Sequence, residues 1–272
     1  MEDRFIDIER AIKSKNPRLL RWMPGFLLRY LKKKIRQDES NAIIAANEGS
    51  NGYEFSKYVI DYLNIKVVTE GMENIPKDGG AIIAVNHPLG GIDALAIIQE
   101  VYPNRPDLKF VVNDLLMQLD NLKDLFVGVN KHGANSKESL QKLNEVYESD
   151  QLVFVFPAGL VSRKKKGKVE DLEWKKTFIT RAKKLEKPVI PVYLDGELSR
   201  FFYRLSNFRS KIGIKANLEM FYLVDELFKQ AGKTLTIRFG TPISPDQFDN
   251  SKKDIEWAQW VKEKVYKLKE KP

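Results

Sequence analysis

Short runs rich in Val, Ile and Phe recur from residue 65 onward, at 65–69, 81–85, 110–112, 125–129, 152–156, 189–194 and 235–239. Helical patterns fall between several of them, at 93–101, 136–149 and 172–185. Strands buried on both faces read as continuous apolar runs, and parallel strands need a crossover segment between them. The alternation therefore predicts an α/β fold, a mostly parallel central sheet flanked by helices. A last amphipathic, basic helix is expected over 254–269. At 272 residues and 43% hydrophobic content, the chain can bury one substantial core.

Residues 1–65 have a different texture and read as an N-terminal helical arm ahead of an α/β domain at 66–272, the two forming one compact unit. Within 18–36, Trp22, Phe26, Leu27, Tyr30 and Leu31 are interleaved with seven cations and no acid: Arg18, Arg21, Arg29, Lys32, Lys33, Lys34 and Arg36. Pro24-Gly25 should kink or split this segment. An apolar face with Trp and Tyr, rimmed by Lys and Arg, suits a helix lying in a membrane interface, so an anionic lipid surface is an expected partner. A helix packed on the domain with its lysines in water produces the same pattern. A further amphipathic helix is expected at 53–63.

The chain carries a net charge of +9, with a second basic cluster of five cations at 163–168. Such patches attract phosphates, anionic lipid or acidic proteins, or simply solvate a face. No recognition-helix, zinc-finger or aromatic RNA-binding pattern accompanies them, so nucleic acid is not an expected partner. Cysteine is absent, which excludes disulfides and thiolate chemistry. With only His87 and His132, a His-rich metal site is not expected either. The opening stretch lacks the apolar core of a signal peptide, and no run approaches the ~20 apolar residues that span a bilayer. A cytoplasmic protein, peripheral on the inner face of the cell membrane, is the expectation.

The segment richest in chemistry is 79–96, where an apolar strand ends in Asn86-His87, a turn with Gly90-Gly91 follows, and Asp93 stands where a helix should begin. Ligands usually bind at strand ends in α/β sheets. Asp93 could cap the helix, accepting backbone N–H bonds. It could also receive the Nδ1–H of His87, fixing the tautomer and leaving Nε2 to take a proton. Asn86 would then end the strand or position His87. A nucleophilic triad would need a Ser or Cys beside the His, yet there is no cysteine and no Gly-x-Ser-x-Gly elbow. If the chain lacks its own nucleophile, the substrate must bring one, and a hydroxyl attacking an activated acyl group would suffice. Backbone N–H groups near Gly90-Gly91 could stabilise the oxyanion.

These residues resemble the glycerolipid (PlsC-type) acyltransferases, whose His-x4-Asp signature is similar to His87…Asp93. Further blocks follow in the family's order: Asn130-Lys131 after an apolar strand, Phe156-Pro157-Ala158-Gly159-Leu160-Val161-Ser162-Arg163, and a proline-containing strand from Lys187. Departures are specific. His87 and Asp93 are five residues apart in place of four, a difference Gly90-Gly91 can absorb. Ala158 stands where the family has Glu, and Leu160-Val161 where it has Thr-Arg. The sequence is most similar to a bacterial branch of hemolysin-related, aminolipid O-acyltransferases that act on lyso-ornithine or lyso-glycine lipids, acceptors without a phosphate.

The resemblance implies an acyl thioester, on acyl carrier protein or coenzyme A, as co-substrate with no bound cofactor or metal. It implies a lyso-lipid acceptor, with Asn130, Lys131, Gly159, Ser162 and Arg163 among its contacts and His87 and Asp93 as the catalytic pair. Lysophosphatidic acid is the alternative acceptor. A non-catalytic lipid-binding protein on a decayed enzyme fold is the alternative of another kind.

Overall fold

The computed structural model describes residues 6–15, 17–129, 137–215 and 217–270. The apolar runs form β1 (Lys66–Glu70), β2 (Ala81–Val85), β3 (Lys109–Asn113), β4 (Phe126–Val129), β5 (Leu152–Val155), β8 (Val189–Leu194) and β9 (Thr234–Phe239), with a hairpin of β6 (Arg163–Lys165) and β7 (Lys168–Glu170) between β5 and β8. The seven-stranded sheet has the order β1-β9-β8-β2-β5-β3-β4. Every neighbouring pair is parallel except β8 and β9. The fold is therefore the expected mostly parallel α/β sheet, with one antiparallel pair that the sequence pattern did not single out.

Strand β2 lies near the middle of the sheet, and all of its residues are buried. Its side chains alternate between two cores. Ile83 and Val85 join an apolar cluster on one face, whereas Ile82 and Ala84 join a second cluster on the other. This two-sided burial explains why the strand reads as an unbroken apolar run.

The helices in chain order are α1 (Ile8–Lys15), α2 (Pro17–Trp22), α3 (Gly25–Lys34), α4 (Gln37–Ala46), α5 (Gly52–Tyr62), α6 (Gly91–Val101), α7 (Lys137–Glu148), α8 (Thr177–Leu185), α9 (Arg200–Lys211), α10 (Leu223–Phe228) and α11 (Asp254–Lys267). Helices α5 and α6 cover one face through Phe55, Val59, Ile60 and Ile97, and α8 and α11 cover the other through Phe178, Ile179, Trp257 and Val261. Helix α5 begins on a full capping box, in which Asn51 and Glu54 satisfy each other's backbone amides. The basic segment splits at Pro24, the residue before α3. Helix α3 buries none of its residues. Among the described residues no helix is long and apolar enough to cross a membrane.

One helix is shorter than its pattern. The periodicity at 172–185 extends through residues that are not helical, and α8 starts only at Thr177. The cause is Trp174, fully buried with its indole N–H donated to Asp171 at 2.8 Å. That bond holds 171–174 outside the helix, which begins after it. The C-terminal helix likewise ends at Lys267, followed by a 3-10 turn at Leu268–Glu270.

Candidate active site

Asn86 and His87 leave the end of β2 together. The Asn86 side chain uses both its donor and its acceptor on the end of β8, giving a bond to the Leu194 carbonyl at 2.9 Å and taking one from the Leu194 amide at 2.7 Å. It thus anchors the strand end from which His87 departs. The His87 Nδ1 lies 2.8 Å from Oδ2 of Asp93. The imidazole keeps 19% of its side-chain surface exposed, while Asp93 has none.

Asp93 occupies the first turn of α6 and fills both roles that its position allows. Its carboxylate accepts the amide of Leu89 at 3.0 Å and that of Gly90 at 3.1 Å, besides the imidazole. Burial pushes the Asp93 carboxyl up from its ordinary value, and the His87 ring and the two amides pull it back down. Because the backbone amides can only donate, the oxygens facing them must accept. The proton between His87 and Asp93 therefore belongs on Nδ1, which leaves the Nε2 lone pair for a substrate. The ring also stacks on Phe156, with centroids 4.2 Å apart and planes at 26°.

The extra residue between His87 and Asp93 is absorbed at Gly90, whose φ of 84° and ψ of −132° suit glycine and strain any L side chain. Gly91 is exposed at the opening of α6, where first-turn amides have no partner within the helix. An oxyanion beside His87 could be met there.

The third block folds around a carboxylate that sequence reasoning missed. Asp171 accepts the backbone N–H of His87 at 3.1 Å and the Ser162 hydroxyl at 2.5 Å on one oxygen, and the Trp174 indole on the other. The Ser162 amide in turn donates to the His87 carbonyl at 2.7 Å. From the C-terminal helix, Lys262 holds the Asp171 carbonyl and the Tyr266 hydroxyl receives its amide. No motif marks such a residue: Ser162 and Trp174 are near in sequence, but the His87 amide that links it to the site lies 84 residues away.

The expected contacts divide. His87, Asp93, Asn86, Gly90 and Ser162 come together around one turn, and Gly91 stands beside them. Gly159 takes a φ of +63° in the turn after Phe156, with the Lys175 side chain close by. Arg163, expected as an acceptor contact, is buried instead: its guanidinium pairs with the fully buried Glu219 at 2.8 Å, bonds the Val161 carbonyl and lies over the Phe202 ring. Burial pushes the Arg163 guanidinium below its ordinary value, and Glu219 opposes this. The family's usual Arg position holds Val161, itself buried. Asn130, Lys131 and His132 lie outside the described residues. Among the described residues no cluster of His, Asp or Glu is arranged to hold a metal ion.

A His–carboxylate pair at the end of a central strand, on a mostly parallel sheet flanked by helices, is an arrangement suited to acyl transfer onto a hydroxyl. The acyltransferase family model matches residues 10–271, and the chain belongs to that family. It is 41% identical to the lyso-glycine lipid O-acyltransferase of Bacteroides thetaiotaomicron over 267 residues, 97% of each chain. It is 39% identical to the lyso-glycine lipid O-acyltransferase of Phocaeicola vulgatus, covering 97% of this chain and 95% of that one. A slighter likeness, at TM-score 0.48 and 18% identity, links it to the crystal structure of the 1-acyl-sn-glycerophosphate (LPA) acyltransferase PlsC from Thermotoga maritima, covering 92% of this chain and 99% of that one.

Proposed function

We propose that this acyltransferase transfers a fatty acyl group from a thioester, on acyl carrier protein or coenzyme A, to the hydroxyl of a lyso-aminolipid, with lyso-glycine lipid as the acceptor. The observation that carries the reading is the 2.8 Å bond from His87 Nδ1 to the fully buried Asp93, made at a strand end and leaving Nε2 clear of the carboxylate. His87 Nε2 takes the hydroxyl proton as the acceptor oxygen attacks the thioester carbonyl. Asp93 stabilises the imidazolium that forms. Amides at the start of α6 steady the oxyanion. The tetrahedral intermediate collapses, the C–S bond breaks, and the imidazolium returns its proton to the departing thiolate. The products are an ester and a free thiol, and the enzyme ends as it began.

The acceptor follows from two independent supports. Both named relatives act, by name, on lyso-glycine lipid. The guanidinium nearest the third block is bound to Glu219, and Val161 fills the place of the family's Arg, which suits an acceptor without a phosphate. Such an acceptor lives in a bilayer, and a peripheral position on the inner face of the cell membrane, reached through the cations of residues 18–36, accords with it.

The test is to incubate the purified protein with lyso-glycine lipid or lysophosphatidic acid and either acyl donor, reading products by mass spectrometry. Acylated glycine lipid as the main product is expected. Preference for the phosphate acceptor would replace the proposed substrate, and no transfer with any pairing would favour a lipid-binding protein on an inactive fold.

A further inference from the structure

The basic amphipathic segment does not stand alone. Helix α9 and the 3-10 turn Leu218–Tyr222 extend its exposed apolar face. On α9, Phe202, Tyr203 and Ser206 are buried, whereas Phe201, Phe208 and Ile212 recur at helical spacing on the open side. Phe208 is 61% exposed and Phe221, in the adjoining turn, 55%. On the arm, Trp22 is 84% exposed and Phe26 67%. Large apolar side chains exposed in such numbers on neighbouring elements mark a contact surface.

The two halves are joined in space. The Tyr222 hydroxyl lies beside Tyr30 of α3, and the Tyr222 ring meets Phe201 of α9 edge-on at 4.9 Å. Lys34 and Arg36, at the end of the arm, both reach Asp225 of α10, and Arg36 also lies over the Phe228 ring. Charge follows the same outline. Residues 199–222 contain five cations and one acid, Glu219, which is fully buried and paired. Arg200, Arg204, Lys211 and Lys215 are exposed and make no ion pair among the described residues. Together with the acid-free run 18–36, where Lys32, Lys34 and Arg36 are ion-paired to Glu9, Asp225 and Glu39, this leaves aromatic and aliphatic side chains rimmed by cations.

Helix α10 also carries this face to the reactive turn. Leu223, next to Tyr222, lies 3.6 Å from where a Cβ on Gly90 would sit, and Leu227 packs close to Gly91.

We infer that α9 and the turn Leu218–Tyr222 form, with α2 and α3, one composite surface that docks on a bilayer containing anionic lipid, beside the entrance to His87. The inference rests on the lipid-acceptor reading above and adds a second anchoring element to it. Cations meet the headgroups, and Phe208, Ile212 and Phe221 enter the interface.

The absence of cysteine permits a direct test. Single-cysteine variants Phe208→Cys and Phe221→Cys, and Ser251→Cys as a control away from the surface, are labelled with a polarity-sensitive fluorophore. They are then mixed with phosphatidylcholine vesicles, with or without phosphatidylglycerol, carrying nitroxide-tagged lipid. Quenching at 208 and 221 but not at 251, stronger with phosphatidylglycerol and weakened by salt, is expected. The double variant Phe208→Ser/Ile212→Ser should bind those vesicles on the order of tenfold more weakly. It should still acylate acceptor dispersed in detergent micelles. Unquenched probes at 208 and 221 on vesicle-bound protein would overturn the inference, as would lipid-free dimerisation or saturable capture of acyl carrier protein through these side chains. Failure of the micelle assay with unmodified protein would count instead against the proposed reaction.

Discussion

The backbone N–H of His87 donates to the carboxylate of Asp171 at 3.1 Å, across 84 residues of sequence. The same carboxylate receives Ser162 and Trp174, so the base and the third block share one acceptor. Asp171→Ala strands three donors, two of them buried, and should cost on the order of 3 kcal/mol, seen as a lower melting temperature. Asp171→Asn retains an oxygen for His87 and Ser162 but turns an amide toward the indole. It should recover turnover more fully than stability, and a variant series in which kcat tracked melting temperature alone would reduce Asp171 to a packing residue.

Replacing the base separates chemistry from folding. His87→Ala leaves Asp93 with the amides of Leu89 and Gly90, and the ring it removes was partly exposed. Turnover should fall by about 10²–10⁴-fold while the melting curve stays close to that of the unmodified protein. Product ions counted over a time course measure the first, and calorimetry the second.

Asp93 sets activity against stability. Burial holds its carboxyl above the ordinary value, so ionising it costs the folded state. Such a group favours the fold below its unfolded value near ~4 and loses that contribution as pH rises through the higher folded value. Asp93→Asn has no charge to bury. Its melting temperature should therefore gain on that of the wild type as pH climbs from acid to neutral. Activity should drop by roughly 10³-fold or more, because the neutral amide oxygen that faces Nδ1 and the Leu89 and Gly90 amides no longer stabilises the imidazolium.

Arg163 provides a test of the acceptor. Arg163→Met removes one of two cations on buried Glu219, with Arg209 remaining, and should destabilise the protein by roughly 3 kcal/mol. Adding Glu219→Leu should return part of that loss. The acceptor KM of the folded fraction should not change, and a selective loss of affinity for lysophosphatidic acid would reassign the guanidinium to substrate.

The strands were legible because β2 and β8 are buried on both faces and so read as plain apolar runs with clear ends. The His87–Asp93 pair was legible because both partners sit within one turn of chain. Helix α9 was not. Its exposed Phe201, Phe208 and Ile212 blur the contrast between an apolar and a polar side on which periodicity depends. Asp171 and Glu219 were hidden for a different reason. Each has partners near it in sequence, but the one that ties it to the site, the His87 amide for Asp171 and Arg163 for Glu219, is brought to it only by the fold. Sequence shows Arg163 only as a neighbour of the third block, whereas its ion pair lies 56 residues on.

Asn86 joins the end of β2 to Leu194, and Ser199, which opens α9, is fastened to the buried Glu226 by its amide and hydroxyl. The stretch from Leu194 to the start of α9 is thus tied down at both ends. A seated α9 would fix the standing height of the reactive nitrogen over the headgroups, so that reach into the leaflet is set by a rigid spacer. Acceptors whose hydroxyl rides too high or too deep would be refused by geometry alone.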